Sequence, residues 1–230
     1  GYISGLDYKD PEFKPWEAFQ QWKNHPSVKP LLEGGSIVSA GARAIVTRGF
    51  QSLPTVPLPG AVLIGDTAGT LNVPKIKGTH QAMKSAMHAA EHLAASDLSP
   101  EGFDAKLRNS DVMHELRRVR NIKPGFKKGM WFGLFNAAWE TVTLGLSPWT
   151  LKNKADWNSL DKVGAHEAPQ TDYVQGELAP RDRPAGVYFA ATEHDEDQPV
   201  HLVVHDPSVC VTRCAAEYDN PCTRFCPAGV

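Results

Sequence analysis

Residues 60–93 constrain the fold of this chain more than any other stretch. The stretch opens with a short apolar run at residues 61–64, which is typical of a strand buried on both faces. After a glycine-containing loop, the pattern that begins near Gly78 and Thr79 predicts a helix with small side chains on one face. These are Ala82, Ala86, Ala89 and Ala90, followed by Leu93. Because the first N–H groups of a helix lack intrahelical partners, its N-terminus is suited to an anionic or electron-rich ligand. Spacing alone equally allows an ordinary strand–loop–helix with an alanine packing face.

The residues themselves carry a more specific signal. Residues 72–85, N-V-P-K-I-K-G-T-H-Q-A-M-K-S, follow an apolar strand and a Gly-Asp pair. This run resembles the second FAD-contacting segment of flavoprotein oxidoreductases, and within them the electron-transfer-flavoprotein:ubiquinone oxidoreductase family. The resemblance implies that Asp66 lies near the ribityl-pyrophosphate part of FAD and accepts a hydrogen bond from a ribityl hydroxyl. It implies that Gly78 and Thr79 face the isoalloxazine ring. The full set of expected FAD-binding residues is Gly65, Asp66, Asn72, Gly78 and Thr79.

Composition excludes some classes of protein. The 230 residues are 41% hydrophobic and 22% charged, as in ordinary globular proteins, and the net charge of −2 gives no indication of a nucleic-acid partner. The chain shows no secretory signal pattern and no G-x-G-x-x-G turn, which normally opens a flavin domain of this class. We therefore expect the chain to be the C-terminal part of a longer protein. All four cysteines lie near the end, which favours a reducing compartment over a disulfide scaffold.

The first 58 residues predict short strands and one aromatic helix. Residues 1–8 are expected to form a strand, and glycines at 34–35 and 41 punctuate two further short strands. Pro15–Lys23 is expected to be a helix with proline in its first turn. Phe19 and Trp22 share a face of that helix, which is either a packing face or the wall of a pocket for an apolar ligand. The motifs G-L-D-Y and W-K-x-H-P are similar to segments on the quinone-binding side of proteins of this family. The resemblance therefore favours a ubiquinone pocket.

Residues 100–120 predict one or two helices that end in a basic cluster. The expected packing stripe is Phe103, Leu107, Val112, Leu116 and Val119. The basic cluster consists of Arg117, Arg118, Arg120, Lys123, Lys127 and Lys128.

Residues 129–151 follow that cluster and are rich in large apolar side chains. On a helical projection, Met130, Trp131, Leu134, Phe135, Ala138, Trp139 and Val142 share one broad face. The opposite face holds Asn136, Glu140 and Thr143. Glu140 in mid-segment argues against a transmembrane span. A buried core helix explains the stripe, whereas a helix lying in a membrane interface also explains the tryptophans beside a basic flank. The resemblance favours the interface, with Trp131, Phe135 and Trp139 as the membrane-facing residues.

The remaining residues, 153–230, predict a polar linker and a small domain with strands at 187–191 and 201–205. The cysteines run C-x₃-C-x₇-C-x₃-C, which matches neither a ferredoxin run nor the usual zinc pairs. Unligated thiols are therefore expected at Cys210, Cys214 and Cys222. Cys226 differs, because F-C-P-A-G-V is similar to the first 4Fe–4S ligand segment of the family; the resemblance implies three further ligands downstream, beyond Val230. A cation site is a minor alternative at His194, His201 and His205 with Asp195, Glu196 and Asp197.

The resulting hypothesis is an α+β or α/β chain: part of a glutathione-reductase-type FAD-binding fold with an antiparallel quinone-side sheet, then a truncated ferredoxin-like domain. We expect four parts: 1–58 on the quinone side, 59–125 in the FAD domain, 126–152 as a membrane-surface helix, and 153–230 as linker and cluster domain. The resemblance implies electron transfer from electron-transfer flavoprotein through FAD and a 4Fe–4S cluster to ubiquinone. It implies a peripheral position on the inner side of a bacterial or mitochondrial inner membrane. The alternatives are a cluster-free flavoprotein reductase of the prenyl-reductase type and a non-enzymatic membrane module with zinc.

Overall fold

The computed structural model describes residues 1–166, 183–191, 193, 195, 197–199 and 203–224. These residues form mostly helices and one small antiparallel sheet. In chain order the helices and strands are α1 (Pro15–Lys23), α2 (Lys29–Leu32), β1 (Pro57–Leu58), β2 (Ala61–Val62), α3 (Gly65–Ala68), α4 (Thr79–Ala95), α5 (Phe103–Arg108), α6 (Asp111–Val119), α7 (Ile122–Gly125), α8 (Met130–Val142), α9 (Arg183–Ala190) and α10 (Ala215–Tyr218). The chain divides into two compact units, one made of residues 1–43 and 154–230 and the other of residues 44–153.

The central unit, residues 44–153, has the hydrophobic core. Helices α4, α5 and α6 contribute most of it, and the core residues are Val56, Ala68, Ala89, Phe103, Leu107, Val112, Met113 and Leu116. The predicted stripe of residues 100–120 is thereby confirmed at four positions, while Val119 is only half-buried. Two helices rather than one form here, because Ser110 begins a new helix with extended backbone.

The short strands are where the sequence-based expectation was wrong. Residues 61–64 do not form a strand buried on both faces: β2 contains only Ala61 and Val62, it pairs with β1, and Ala61 is exposed. The chain then enters the short helix α3 instead of a loop. Residues 1–8 and 33–48 form no strand within the described part of the chain, because a strand requires a ladder of hydrogen bonds with a neighbour, whereas the Ala40 N–H makes a single bond to the Phe189 carbonyl at 2.9 Å. A larger quinone-side sheet and a glutathione-reductase-type fold are therefore not displayed by the described residues.

Helix α4 begins at Thr79, as predicted, but its buried face is not the alanine stripe. Gln81, Ser85 and Ala89 are buried at successive helical turns, whereas Ala90 is exposed. Two of these three buried positions are polar: Ser85 makes hydrogen bonds with neighbouring backbone, whereas neither side-chain polar atom of Gln81 has a hydrogen-bond partner in the structure. Small apolar side chains therefore do not define the packing face of this helix.

The second unit is described in part. Helix α1 has the predicted bounds. Residues 183–190 form α9 where residues 187–191 were expected to form a strand, since a short apolar run cannot distinguish the two and Pro184 at the second helical position favours a helix. The described part of the other expected strand, residues 203–205, is not in a sheet. Near the end, a π-helical turn at Cys210–Cys214 continues into α10.

Candidate functional site

The turn between β2 and α4 depends on a glycine. The N–H of Gly65 donates a 2.9 Å hydrogen bond to the hydroxyl of Ser85, which itself donates to the Ala82 carbonyl at 2.8 Å. Gly65 has φ +58°, and a Cβ at this position would lie 3.1 Å from the Cβ of Ala82. Left-handed backbone and close approach together favour glycine. Gly65, one of the residues expected at the FAD site, therefore allows α3 to contact the first turns of α4.

The structure brings Asp66 and Gly78 together at the N-terminus of α4. A Cβ added to Gly78 would lie 2.8 Å and 3.0 Å from the two carboxylate oxygens of Asp66. Asp66 and Thr79 are both exposed, so the carboxylate and the first helical residue face solvent. Free N–H groups and the helix dipole favour electron-rich ligands at such a position, and a hydroxyl can donate to the carboxylate. This arrangement of Asp66, Gly78 and Thr79 fits a flavin with ribityl hydroxyls.

Asn72, the fifth residue expected at the FAD site, is fully buried. Its side-chain amide donates a 2.7 Å hydrogen bond to Glu115 Oε1, and its Oδ1 accepts from the Lys75 N–H at 3.3 Å. The second bond caps the 3₁₀ turn Val73–Lys75. The Asn72 side chain thus has two protein partners that hold the loop before α4, and its contact with FAD stays a prediction.

Glu115 is the residue of this region that sequence reasoning missed. Besides Asn72, its Oε1 contacts Lys75 Nζ at 2.8 Å and His80 Nε2 at 3.1 Å. Burial by itself would raise the pKa of Glu115, but the hydrogen bonds from Lys75, His80 and Asn72 outweigh it and lower the pKa from 4.5 to about 2. One carboxylate on α6 therefore anchors three residues of the loop and helix start. No local pattern marks this residue, because its partners lie far away in the sequence.

A second carboxylate on α6 continues the attachment to α4. Asp111 lies 2.8 Å from His88 Nε2 and 2.6 Å from Lys84 Nζ. Hydrogen bonds from His88 and then Lys84 lower the pKa of Asp111 from 3.8 to about 2. His80, Lys84 and His88 follow one another at helical spacing, so a single face of α4 is joined to α6 by contacts with two carboxylates.

Helix α8 lies within the predicted segment 126–152, begins at Met130 and ends at Val142, and it buries its polar face. Gly133, Asn136 and Glu140 are the buried residues of this helix. The Asn136 amide donates to the Asn121 carbonyl at 2.8 Å, and Glu140 Oε1 accepts from the Asn121 amide at 2.9 Å. The polar face is therefore the one that packs against α7.

The opposite face of α8 is apolar and exposed. Trp131 is 84% exposed, Phe135 71% and Trp139 47%. Met130, Phe132, Leu134 and Val142 are also exposed. Single exposed apolar residues are common, but a contiguous patch of large ones indicates an interaction surface. No described helix is both long and apolar enough to cross a membrane.

The basic cluster beside α8 divides into two groups. Arg117, Arg118 and Lys128 are exposed, and Lys128 Nζ lies 4.9 Å from the centroid of the Phe132 ring. Lys123 instead hydrogen-bonds Thr47, and Arg120 is buried. Including Arg120 in a surface cluster was therefore wrong, since its guanidinium is occupied by backbone carbonyls.

The predicted quinone-side residues lie in a small aromatic stack on α1. The rings of Phe19 and Trp22 are stacked with centroids 6.0 Å apart, and Tyr2 stacks on Phe19 at 5.9 Å. Lys23 Nζ lies 5.0 Å from the Phe19 centroid, and burial lowers the pKa of Lys23. Phe19 and Trp22 are half-buried, so each keeps part of its ring accessible.

The cysteines are described in part. Cys210, Cys214 and Cys222 are free thiols, and Cys226 lies outside the described residues. Among the residues that the structure describes, no three His, Cys, Asp or Glu side chains are grouped so as to hold a metal ion. Of the alternative cation site, His194, Glu196 and His201 lie outside the described residues.

Two family models match the ends of the chain. Residues 1–45 match the model described as "ETF-QO, ubiquinone-binding", and residues 176–230 match "Electron transfer flavoprotein-ubiquinone oxidoreductase, 4Fe-4S". The first match includes the α1 aromatic stack, and the second includes Cys226.

Curated relatives cover the whole chain. It is 41% identical over 247 residues to "Electron transfer flavoprotein-ubiquinone oxidoreductase, mitochondrial" of Sus scrofa. It is 41% identical over 248 residues to the protein of that name in Homo sapiens and 39% over 235 residues to the one in Oryza sativa. Each alignment covers 100% of this chain but only 40%, 40% and 41% of the respective relative. The chain therefore spans well under half the length of the curated relatives it matches.

Proposed function

Because this chain belongs to the electron transfer flavoprotein-ubiquinone oxidoreductase family, we propose that it takes part in electron transfer from reduced electron-transfer flavoprotein to ubiquinone. In this proposal the whole protein is an oxidoreductase that uses FAD and a 4Fe–4S cluster. The observation that carries the proposal is identity of about two residues in five along the entire chain, including both ends.

The β2–α4 region supplies part of the FAD site. Asp66 accepts from the ribityl chain, and the free N–H groups at Gly78 and Thr79 stabilise electron density on the ring. Glycine at 78 is required because any side chain would displace the Asp66 carboxylate. FAD supplies the redox chemistry, whereas these residues bind and orient it.

Residues 1–45 contribute to ubiquinone binding. The match to the ubiquinone-binding model supports this role, and so does the half-buried stack of Phe19 and Trp22. Flat aromatic rings suit a quinone head, because offset stacking is favourable. Phe19 and Trp22 are therefore proposed as part of the pocket wall.

Cys226 is proposed as a ligand of the 4Fe–4S cluster. It lies in the segment that matches the 4Fe–4S family model and is followed by proline, as at ferredoxin-type ligands. Cys210, Cys214 and Cys222 have neither the proline nor the matching context, so they remain thiols in this proposal.

Helix α8 is proposed to lie in the interface of the membrane that holds ubiquinone. Its exposed face carries Trp131, Phe135 and Trp139, and its flank carries exposed basic residues. Tryptophan prefers the headgroup level, and each nearby basic residue adds about 1 kcal/mol of attraction to anionic lipid. The protein would then sit peripherally on an energy-transducing membrane, as the word mitochondrial in the relatives' names supports for the inner mitochondrial membrane.

Quinone reduction by the full-length natural protein tests the proposal. The protein should bind FAD, show the paramagnetic resonance signal of a reduced 4Fe–4S cluster, and reduce a soluble ubiquinone analogue when supplied with reduced electron-transfer flavoprotein. Bound FAD without any cluster signal would favour the prenyl-reductase type, and stoichiometric zinc without flavin would favour the non-enzymatic module.

A further inference from the structure

Residues 144–149, here called the α8 loop, continue the chain beyond α8. Leu144 is 63% exposed, Leu146 82% and Trp149 47%. Gly145 and Ser147, between them, are buried. The large apolar side chains of the loop are therefore exposed to solvent, whereas Gly145 and Ser147 lie in the interior of the protein.

Arg120 holds the backbone of the α8 loop from beneath. Arg120 is 7% exposed, and its guanidinium donates to the carbonyl oxygens of Gly145 at 2.8 Å, Ser147 at 2.6 Å and Trp149 at 3.1 Å. Its Nε donates to the Thr150 hydroxyl at 2.9 Å. Arginine presents five donors in a fixed fork, so one side chain fixes alternate carbonyls of a loop that has no ladder of its own.

Two further contacts fix the same loop. Gly145 has φ +74°, and a Cβ there would lie 2.4 Å from the Arg118 carbonyl oxygen, so the loop is pressed against the end of α6. The Asn121 side chain donates to the Trp149 carbonyl at 3.0 Å and accepts from the Leu151 N–H at 2.7 Å. These contacts hold the backbone of the loop, while its leucine and tryptophan side chains are exposed and available to a partner.

The α8 loop is continuous with the exposed face of α8. The indole N–H of Trp139 donates to the Ser147 hydroxyl at 3.2 Å. Arg118, whose backbone supports Gly145, is exposed, and so is its neighbour Arg117. An apolar surface bordered by cations is complementary to a bilayer with anionic headgroups. A second copy of the same surface would instead bring like charges together.

We propose that the α8 loop is a second membrane-inserting element, which places Leu146 and Trp149 at the headgroup–acyl boundary of an anionic bilayer, and that Arg120 is the residue that positions it. The inference rests on the proposed peripheral position of the protein on a membrane, because the loop and α8 would face the same bilayer. It adds a distinct, non-helical contact whose shape depends on a buried guanidinium.

Partition of the full-length protein onto phosphatidylcholine vesicles, with and without phosphatidylglycerol, tests the lipid contact. Leu146→Ser with Trp149→Ser should weaken partition by about tenfold, since two large apolar side chains leave the interface, without lowering the thermal midpoint. A parallel variant, Trp131→Ser with Phe135→Ser, reports on α8 alone. If only the loop variant loses vesicle partition, the interfacial role of α8 is refuted and that of the α8 loop is kept. If the loop variant partitions as the natural protein does, the proposal for the α8 loop is overturned. If the loop variant changes the oligomeric state but not the vesicle partition, the loop contacts a second copy of the chain, and the membrane proposal for the loop is likewise overturned.

Arg120→Lys tests the positioning role, because lysine keeps the charge but cannot reach several carbonyls from one planar group. Amide hydrogen exchange at residues 146–151 should become faster, and vesicle partition should fall along with it. Unchanged exchange in a folded Arg120→Lys protein would overturn the positioning role. If that variant does not fold, Thr150→Val, which removes only the contact to Nε, should still speed exchange in the loop, and unchanged exchange there would overturn the role equally.

Discussion

The side-chain amide of Asn72 donates a 2.7 Å hydrogen bond to a carboxylate oxygen of Glu115, a residue 43 positions further along the chain. The same oxygen contacts Lys75 and His80, so helix α6 determines where the loop before α4 lies. The expected FAD-facing residues Gly78 and Thr79 are at the end of that loop. Their position is therefore set by a carboxylate that is not itself among the expected cofactor residues.

Replacing Glu115 with Gln should loosen this loop. Gln keeps one acceptor oxygen but removes the charge that pairs with Lys75 and His80, so we expect the free energy of unfolding to fall by about 1 kcal/mol. FAD retention through gel filtration should also decrease. Glu91→Gln is the matched control, because Glu91 is exposed and its ion-pair partner Lys106 lies 3.5 Å away; it should change stability by about 0.5 kcal/mol or less. Equal effects of the two variants would contradict the anchoring role.

Acid should remove the contribution of Glu115 to stability. Hydrogen bonds lower its pKa in the folded state to about 2, from an ordinary 4.5. The folded state therefore binds this proton less readily than the unfolded state, and the contribution is fully present above pH 4.5 and lost as the pH falls toward 2. Urea denaturation across this range should show the difference between the natural protein and Glu115→Gln shrinking with acid. A difference that is constant with pH would refute the assignment.

Gly78→Ala should weaken FAD binding more than it weakens the fold. The new methyl group would meet the flexible Asp66 carboxylate and a Leu71 methyl group, so the protein adjusts by moving Asp66. We expect about tenfold weaker rebinding of FAD to the stripped full-length protein, followed by flavin fluorescence. Gly41→Ala is the control, since a Cβ there meets no atom within 4 Å. Normal FAD affinity in Gly78→Ala would contradict the predicted site.

Replacing Trp131, Phe135 and Trp139 together with Ser should release the full-length protein from anionic vesicles in a flotation assay. Trp131 and Phe135 are exposed, so each of these two replacements should cost about 0.5 kcal/mol of stability or less, whereas Trp139→Ser also removes the hydrogen bond to Ser147 and should cost about 1 kcal/mol. Val203, Val204 and Val211, which are also exposed, provide a matched triple Ser control. Flotation that persists in the first variant, or a large loss of stability, would mean that this face packs against protein.

Cys226→Ala should abolish the paramagnetic resonance signal of the reduced cluster and the reduction of ubiquinone, while FAD stays bound. When a cluster iron loses its thiolate ligand, the cluster is usually lost or degraded. Single Ala variants at Cys210, Cys214 and Cys222, which are free thiols, are the controls and should keep the signal. Loss of the signal in Cys222→Ala but not in Cys226→Ala would show that the ligand assignment is wrong.

Local pattern predicted the helices well and the strands poorly. Helix α1 has the expected bounds, and α8 lies inside the expected segment 126–152, because the hydrogen bonds of a helix lie within its own segment, so proline position and apolar periodicity are sufficient. The strands expected at residues 1–8 and 61–64 depend on pairing with distant segments, which local sequence does not specify. The same limit explains the helix found at residues 183–190.

The sequence by itself determined that α8 has one apolar and one polar face, that a helix begins near Gly78 and Thr79, and that the chain resembles one family. Only the tertiary structure decided that the polar face of α8 is the buried one, because Asn136 and Glu140 find hydrogen-bond partners on Asn121. The tertiary structure also shows that Arg120, which was expected in the basic cluster beside α8, is buried. The physical reason is common to both: a buried polar group is stable only when its partners are in place, and those partners are supplied by segments that local sequence does not bring together.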